Sequence, residues 1–125
     1  MKQPPPDSLA VDLANWATQL RKGGLDLAVL ASLWPGRLYG LEILRRLAGE
    51  GGMSVPEGTI YPLLNRLRNG GLVSAEWVES DAGHPRKYYQ LTAVGRRQVA
   101  AMAAAWRAFA AGVDHLLSPL AEAAE

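Results

Sequence analysis

The chain has 125 residues, a formal net charge of +1 and 49% hydrophobic residues, a composition typical of one globular domain and not of a polycation. Cysteine is absent, which excludes disulfides, thiolate nucleophiles and zinc–thiolate sites. The first residues lack an apolar signal-peptide segment and no apolar run approaches ~18 residues, so we expect a soluble cytoplasmic protein.

The N-terminal part of the chain predicts a leader followed by a helix. Three consecutive prolines within residues 1–7 favour extended structure, and we expect this segment to be flexible. From Ser8 the apolar residues fall on one helical stripe, which predicts an N-terminal helix over residues 8–24. Gly23 and Gly24 either end this helix or bend it, and the residues do not decide between the two.

Two further helices precede the central one. The segment "LDLAVLASLW", residues 25–34, predicts a largely buried helix, and the "PGR" after it predicts a turn. The segment "LYGLEILRRLAGEGG", residues 38–52, predicts a third short helix that its glycines end.

The central helix is predicted by "SVPEGTIYPLLNRLRNGG", residues 54–71. Ser54 and Glu57 have the spacing of a capping box at its start. Pro62 stands about two turns inside, although a proline removes one backbone hydrogen bond and costs a helix interior ~3 kcal/mol. The residues expected to face inward are Ile60, Leu63, Leu64 and Leu67.

A hairpin and a long helix complete the chain. In "LVSAEWVES" the residues Val73, Ala75 and Trp77 alternate with polar ones, which predicts a half-buried strand, and "RKYYQL" predicts the return strand after a turn in "DAGHP". Thr92 then caps a helix that we expect to end near Leu117, before a serine and a proline.

This order of elements is that of a winged helix-turn-helix, a mainly α (α+β) fold whose wing is a two-stranded β-hairpin. The chain adds an N-terminal helix and a long C-terminal helix to that fold. The predicted divisions are a leader (1–7), the N-terminal helix (8–24), the winged helix-turn-helix domain (25–91) and a dimerisation helix with its tail (92–125).

Three stretches carry a resemblance to a known family. They are "YG" at residues 39–40, "GTIYPLLNRL" at residues 58–67 and "RKYYQLTAVG" at residues 86–95. In this order and spacing they resemble the PadR family of bacterial transcriptional regulators, over about residues 25–95. The resemblance implies a protein that binds double-stranded DNA, with repression as the family's usual mode.

The face of the central helix opposite its apolar residues carries small, amide, hydroxyl and guanidinium groups, which suit a helix that enters a major groove. The alternative is an ordinary solvated face. By resemblance, Arg86 and Lys87 of the wing contact phosphates or the minor groove, and His84 can join them. A packing role is the alternative for Tyr39. The candidate DNA contacts are Tyr39, Gly58, Thr59, Tyr61, Pro62, Asn65, Arg66, Arg68, Asn69, His84, Arg86 and Lys87.

Apolar residues of the C-terminal helix recur at spacings of three and four, the pattern of a helix that needs a second apolar surface. We expect that surface to be a second copy of the chain, because operator symmetry commonly matches a twofold protein. Packing on the chain's own N-terminal helix alone is the alternative. The expected interface residues are Leu13, Trp16, Leu20, Val99, Met102, Trp106, Phe109, Val113 and Leu116.

The family resemblance also implies a site for a planar apolar effector at the dimer centre, formed by Trp16, Trp106 and Phe109. The alternative is that these aromatic rings only fill the interface. No catalytic motif, metal-ligand spacing or cofactor-binding motif occurs, so we expect neither an enzyme nor a bound cofactor. A winged-helix module that binds another protein, without specific DNA binding, is the alternative function.

Overall fold

The computed structural model describes residues 6–81 and 83–123, which form helices around a small antiparallel sheet. Residues 1–5 of the expected leader lie outside the described residues, whereas Pro6 and Asp7 already belong to the first helix. This is the winged-helix architecture that the sequence predicts, with the long C-terminal helix. Its elements are α1 (Pro6–Ser32), β1 (Leu38–Tyr39), α2 (Gly40–Gly49), α3 (Glu57–Asn69), β2 (Val73–Val78), β3 (Arg86–Leu91) and α4 (Ala93–Ala123).

The first helix is continuous over 27 residues, so Gly23 and Gly24 lie within it and do not end it. Each glycine costs a helix about 1 kcal/mol. Val29 and Leu30, which follow a few residues later, are fully buried and anchor the second half of α1, which offsets that cost. The first half carries large apolar side chains that stay exposed.

The core lies where the second half of α1, α2 and α3 meet one face of the sheet. Removing one such aliphatic side chain from water stabilises a fold by about 1.5–3 kcal/mol. Tyr89 is the inward tyrosine of β3, at 2% exposure, whereas Tyr88 on the opposite face is half-buried. The core residues are Val29, Leu30, Leu33, Ile43, Leu47, Ile60, Leu63, Leu64, Leu67, Val73, Tyr89, Leu91 and Val99.

The sheet has three strands in the order β1-β3-β2, one more than the sequence predicts. In β1, Leu38 pairs with Tyr89 and Tyr39 pairs with Tyr88. A strand of two residues is too short to show an alternating pattern, so it exists only because β3 lies beside it. The hairpin of β2 and β3, which we call the wing, follows the predicted positions.

The start of α3 corrects the predicted capping box. The helix begins at Glu57, after an extended Pro56 with φ −71° and ψ 151°, and no side chain caps it. A residue that precedes proline is disfavoured in helical conformation, which keeps Val55, and with it Ser54, out of the helix. The carbonyl of Pro56 instead accepts the first backbone hydrogen bonds, from Thr59 (3.0 Å) and Ile60 (3.2 Å).

The turn after α3 is tied to the start of α4. Gly71 has a left-handed φ of 78°, and the N–H of Leu72 returns to the carbonyl of Leu67 at 3.0 Å, which closes the helix end. Thr92 caps α4 as predicted, since its hydroxyl accepts the N–H of Gly95 at 2.9 Å. The same hydroxyl donates to the carbonyl of Gly71 at 2.7 Å.

The long helix α4 continues through Pro119 to Ala123, so the predicted end near Leu117 is wrong. A proline leaves the carbonyl four residues earlier without its amide partner, and here that carbonyl belongs to His115. The hydroxyl of Ser118 donates to it at 2.7 Å and so replaces the missing bond. Leu120 consequently stays on the helix, 67% exposed.

Candidate nucleic-acid interface

The helix α3 presents one buried face and one solvent face. Its four apolar residues are at most 5% exposed. The residues opposite them, Gly58, Pro62, Asn65 and Asn69, are exposed, as are Thr59 and Arg68 on the flanks. This is the division that the helical spacing predicts. It leaves small and amide-bearing side chains free to meet another molecule.

Pro62 is the sixth residue of α3 and lies on this solvent face. Because it has no N–H, it cannot donate to the carbonyl of Gly58, four residues earlier. Gly58 is itself exposed, and no atom outside the helix lies within 4 Å of the place its Cβ would take. The solvent face therefore carries a backbone acceptor, the carbonyl of Gly58, that the residue four positions later cannot satisfy.

Tyr61 on the flank of α3 packs on the start of α2. A Cβ at Gly40 would lie 2.5 Å from the hydroxyl and 2.7 Å from a ring carbon of Tyr61, so only glycine admits the ring there. The Tyr39-Gly40 pair thereby has a structural reason, which the sequence pattern alone does not reveal. Tyr61 remains 39% exposed, so one edge of its ring is still open to solvent.

The outer face of the sheet holds alternating cations and aromatic rings. The guanidinium carbon of Arg86 lies 4.6 Å from the ring centroid of Tyr39, and that of Arg37 lies 4.7 Å from the centroid of Tyr88. The two tyrosine rings meet edge to face at 5.5 Å. Arg37 also forms an ion pair with Glu76 at 2.8 Å. Arg86 is thus positioned by packing and not left to sample solvent freely.

A groove of about 430 Å³ separates α3 from the wing. We call it the α3–wing groove. Lys87 in its wall has its Nζ 5.8 Å from the ring centroids of both Trp77 and Tyr89. The groove therefore carries amide, phenol, indole and ammonium groups within one concave surface. The residues that line it are Tyr39 of β1, Gly40 and Leu41 of α2, Tyr61 and Asn65 of α3, and Trp77, Arg86, Lys87 and Tyr89 of the wing.

Trp77 and Gly40 were not among the residues that the sequence predicted for this surface. Alternation with Val73 and Ala75 placed Trp77 toward the core, yet it is 69% exposed. Its position at the far end of β2, next to a turn, was the available signal, since strands that project as a wing outrun the core beneath them.

Arg66 is held by α1 and does not project freely. Its two terminal nitrogens donate to the two carboxylate oxygens of Asp26 at 3.0 and 3.1 Å. These hydrogen bonds, together with the attraction between the charges, raise the pKa of Arg66 above its ordinary value. Its part in binding DNA stays a prediction, and any such contact competes with Asp26.

The phenol of Tyr89, which lines the groove, has a pKa above its ordinary value. Burial raises the pKa of Tyr89, the interaction with Tyr61 acts in the same direction, and the positive charge of Arg68 opposes both. The side chain of Arg68 itself is exposed. In the wing loop, His84 is exposed and its carbonyl accepts a hydrogen bond from the hydroxyl of Ser80.

Large apolar side chains of α1 and α4 stay exposed on the single chain. We call them the α1–α4 stripe, and its most exposed members are Leu116 at 78% and Phe109 at 66%. Two residues predicted for the same surface are covered more than the others. Val99 is 7% exposed within the chain's own core, whereas Met102 is half-buried and lines a groove together with Trp106 and Phe109. The stripe comprises Leu13, Trp16, Leu20, Trp106, Phe109, Val113 and Leu116.

Trp106 also lines two grooves between α1 and α4, of about 360 and 460 Å³. Leu20, Gly24 and Leu27 form the α1 wall of both grooves, and Phe109 lines the larger one. Trp16 does not line either groove. An apolar surface of this extent on one chain is typical of a site that another molecule covers.

Neither a membrane-spanning helix nor a cluster of metal ligands is found among the described residues. Among their helices, none combines the length and the apolar character that crossing a bilayer requires. Nor do residues 6–81 and 83–123 bring three or more histidine, aspartate or glutamate side chains together, as a metal site would.

The order of elements, the exposed face of α3 and the flanking wing define a winged-helix protein of the class that contains many transcriptional regulators. The PadR-like family of transcriptional regulators matches residues 29–101. The chain belongs to this family.

Solved structures of the same family are similar to the chain over most of its length. A PadR family transcriptional regulator from Eggerthella lenta is 33% identical, with 88% of this chain and 96% of that one covered and a TM-score of 0.79. A PadR-like transcription factor from Bacteroides fragilis is 41% identical over 82% of this chain and 98% of that one, with a TM-score of 0.67. A PadR-like regulator from Bacillus cereus is 33% identical over 79% and 96%, with a TM-score of 0.72.

Proposed function

We propose that the chain is a cytoplasmic homodimeric repressor that binds a pseudo-palindromic operator. The observation that carries the proposal is the α3–wing groove, onto which Asn65 of the α3 solvent face and both cations of the wing, Arg86 and Lys87, open. An α-helix fits the major groove of B-DNA, about 12 Å wide, and an amide such as that of Asn65 can pair with an adenine edge. Arg86 and Lys87 then meet the backbone or the adjacent minor groove.

The α1–α4 stripe supports the dimer. A twofold pair of chains presents two copies of α3, and the operator then has two half-sites about 34–36 Å apart, or a multiple of that spacing. Repression is the direction that the resemblance implies, because it is the family's usual mode. A dimer bound across a promoter would repress by excluding other proteins from it.

The test is an electrophoretic mobility shift with the promoter upstream of the protein's own gene, beside a random duplex of equal length. We expect binding at least about a thousandfold tighter to the promoter at physiological salt. Equal affinity for both duplexes would instead favour the alternative, a winged-helix module that binds another protein. A reporter fused to the same promoter is expected to rise in expression when the gene is deleted.

The wing cations and Asn65 are expected to contribute differently. Replacing both Arg86 and Lys87 with alanine removes two phosphate partners. Affinity for every duplex should fall about 10- to 100-fold, and the slope of log K against log salt should decrease by about 1–2. Asn65→Ala should leave the slope unchanged and lower only operator affinity, by about 1–3 kcal/mol, as loss of one base contact does.

Fluorescence anisotropy over a salt series measures both effects. Arg107→Ala, an exposed cation of α4 outside the groove, serves as the control. An unchanged salt slope in the doubly substituted wing would contradict the assignment of these cations to phosphates.

Pro62→Ala separates stability from binding. The substitution restores an N–H for the carbonyl of Gly58, so the free energy of unfolding should stay the same or rise by up to ~3 kcal/mol. Operator affinity should fall about fivefold, the value of one hydrogen bond, because the carbonyl is no longer available to the DNA. Pro119→Ala in α4 is the control, since Ser118 already satisfies its carbonyl partner. Unchanged operator binding by Pro62→Ala would show that the proline has no part in recognition.

A planar apolar effector is a second element of the proposal, and the grooves beside Trp106 favour it. Phe109 lines one of them, whereas Trp16 would have to approach from the partner copy or serve the interface only. Titration of a panel of planar ligands, followed by tryptophan fluorescence and by release of the operator, tests it. A panel without any response would leave Trp106 as an interface residue alone.

A further inference from the structure

The indole of Trp77 is exposed where the pattern of its strand predicts burial. Trp77 pairs with Lys87 across the wing and shares a sheet face with Val73 and Tyr89, which are buried. The core ends below Tyr89, whereas β2 and β3 continue beyond it. The Trp77–Lys87 pair therefore overhangs α3, and 69% of the Trp77 side chain is exposed.

The neighbours of Trp77 place it inside the α3–wing groove. Asn65 and Tyr61 of α3 line the opposite wall. Lys87 lies within cation–π distance of the indole, with its Nζ 5.8 Å from the ring centroid, which adds positive potential at this end of the groove. An indole carries an apolar body and one N–H that only donates, so it suits an acceptor that is partly wet.

The geometry of duplex DNA indicates what reaches this ring. If α3 lies in a major groove and the wing meets the next minor groove, one sugar–phosphate backbone separates the two. That backbone must cross the gap between α3 and the wing, and Trp77 lies in that gap. Phosphate oxygens are strong acceptors, and neutral side-chain donors commonly contact them and fix the register of a protein on the duplex.

We propose that the Nε1–H of Trp77 donates a hydrogen bond to a phosphate oxygen of the backbone that crosses the α3–wing groove. This rests on the proposed DNA-binding function. The contact is independent of base sequence, and its donor is uncharged. It differs from Lys87 in a measurable way, because forming it displaces no condensed counterion.

The test compares Trp77→Phe, which keeps an aromatic ring and removes the N–H, with the wild-type dimer. Affinity for the operator and for a random duplex should fall by the same factor, about 10-fold, as for a hydrogen bond to a charged acceptor. The slope of log K against log salt should not change, whereas Lys87→Ala should reduce it by about 1. Fluorescence anisotropy between 50 and 300 mM salt supplies both readouts.

Trp34→Phe is the matched control, because Trp34 is also exposed, at 47%, but packs against Arg96 outside the groove. It should bind as the wild type does. Thermal unfolding of each variant checks that the fold is retained. If Trp77→Phe binds DNA with wild-type affinity, or if its salt slope changes, the phosphate contact is overturned. The same holds if Trp77→Ala loses affinity while Trp77→Phe does not, because the ring and not its N–H would then matter. If the wild-type protein itself binds no duplex above background, the proposed function fails first and this contact fails with it.

Discussion

Replacing Phe109 with glutamate is expected to leave the protein monomeric in solution and to lower operator affinity on the order of 100- to 1,000-fold. Phe109 is 66% exposed on the single chain and lies in the middle of the α4 part of the α1–α4 stripe. A carboxylate at that place would be buried without a partner in a dimer, at a cost of several kcal/mol. A monomer then holds one half-site and loses the gain that linking two sites provides.

Size-exclusion chromatography with light scattering reports the mass, and anisotropy reports operator affinity. Ala111→Glu is the matched control, because it adds the same charge to the opposite side of α4. We expect this control to remain dimeric. A dimer that persists in Phe109→Glu, or a wild-type chain that is monomeric at micromolar concentration, would contradict the dimer that we propose.

Gly95→Ala is expected to lower the free energy of unfolding by about 3 kcal/mol. Gly95 is buried in the first turn of α4, and a Cβ there would overlap the carbonyl oxygen of Leu72. That oxygen already accepts the N–H of Thr92 at 3.1 Å, so it cannot turn aside without loss of a bond. The clash is with backbone, which no side-chain rotation relieves.

Urea denaturation measures the loss. Gly49→Ala serves as the control, since Gly49 is helical and no atom lies within 4 Å of the place its Cβ would take. That control should hold its stability or gain slightly, because alanine favours a helix more than glycine does. A Gly95→Ala protein as stable as the wild type would show that α4 can shift away from the turn after α3.

The parts of the fold that depend on local pattern could be predicted from the sequence. The inward face of α3 follows from apolar residues at helical spacing, and the two strands of the wing follow from alternation around a turn. Thr92 could be identified as a cap because it directly precedes a long helical pattern. Each of these signals lies within about ten residues of chain.

The parts of the fold that depend on contacts between distant segments could not be predicted from the sequence. The strand β1 exists through pairing with residues about fifty positions later, and Arg66 is held by Asp26, 40 positions earlier. The packing of Tyr61 on Gly40 is likewise a contact between two helices. No periodicity of either segment encodes such pairings, so the Arg66–Asp26 pair and the third strand escape prediction for the same reason.

Two further differences come from compensation that a local rule does not see. Pro119 was expected to end α4, yet the hydroxyl of the neighbouring serine supplies the bond that the proline removes. Trp77 follows the alternation of its strand, but the strand extends beyond the core, so the side chain is exposed. In both places the local sequence rule applies to the residue, but neighbouring groups decide whether the helix ends or the side chain is buried.

The helix α1 runs without interruption from an exposed end to a buried end. At 1.5 Å per residue its 27 residues span about 40 Å, from the exposed aromatic and leucine side chains at one end to Val29 and Leu30 in the core at the other. Because the inner end is anchored in the core, a tilt of about 5° about that end would displace the outer end by about 3.5 Å. The Asp26–Arg66 pair lies near the anchored end and ties α1 to α3 there. The exposed end of α1 therefore has far more freedom to adjust to another molecule than the end that meets α3.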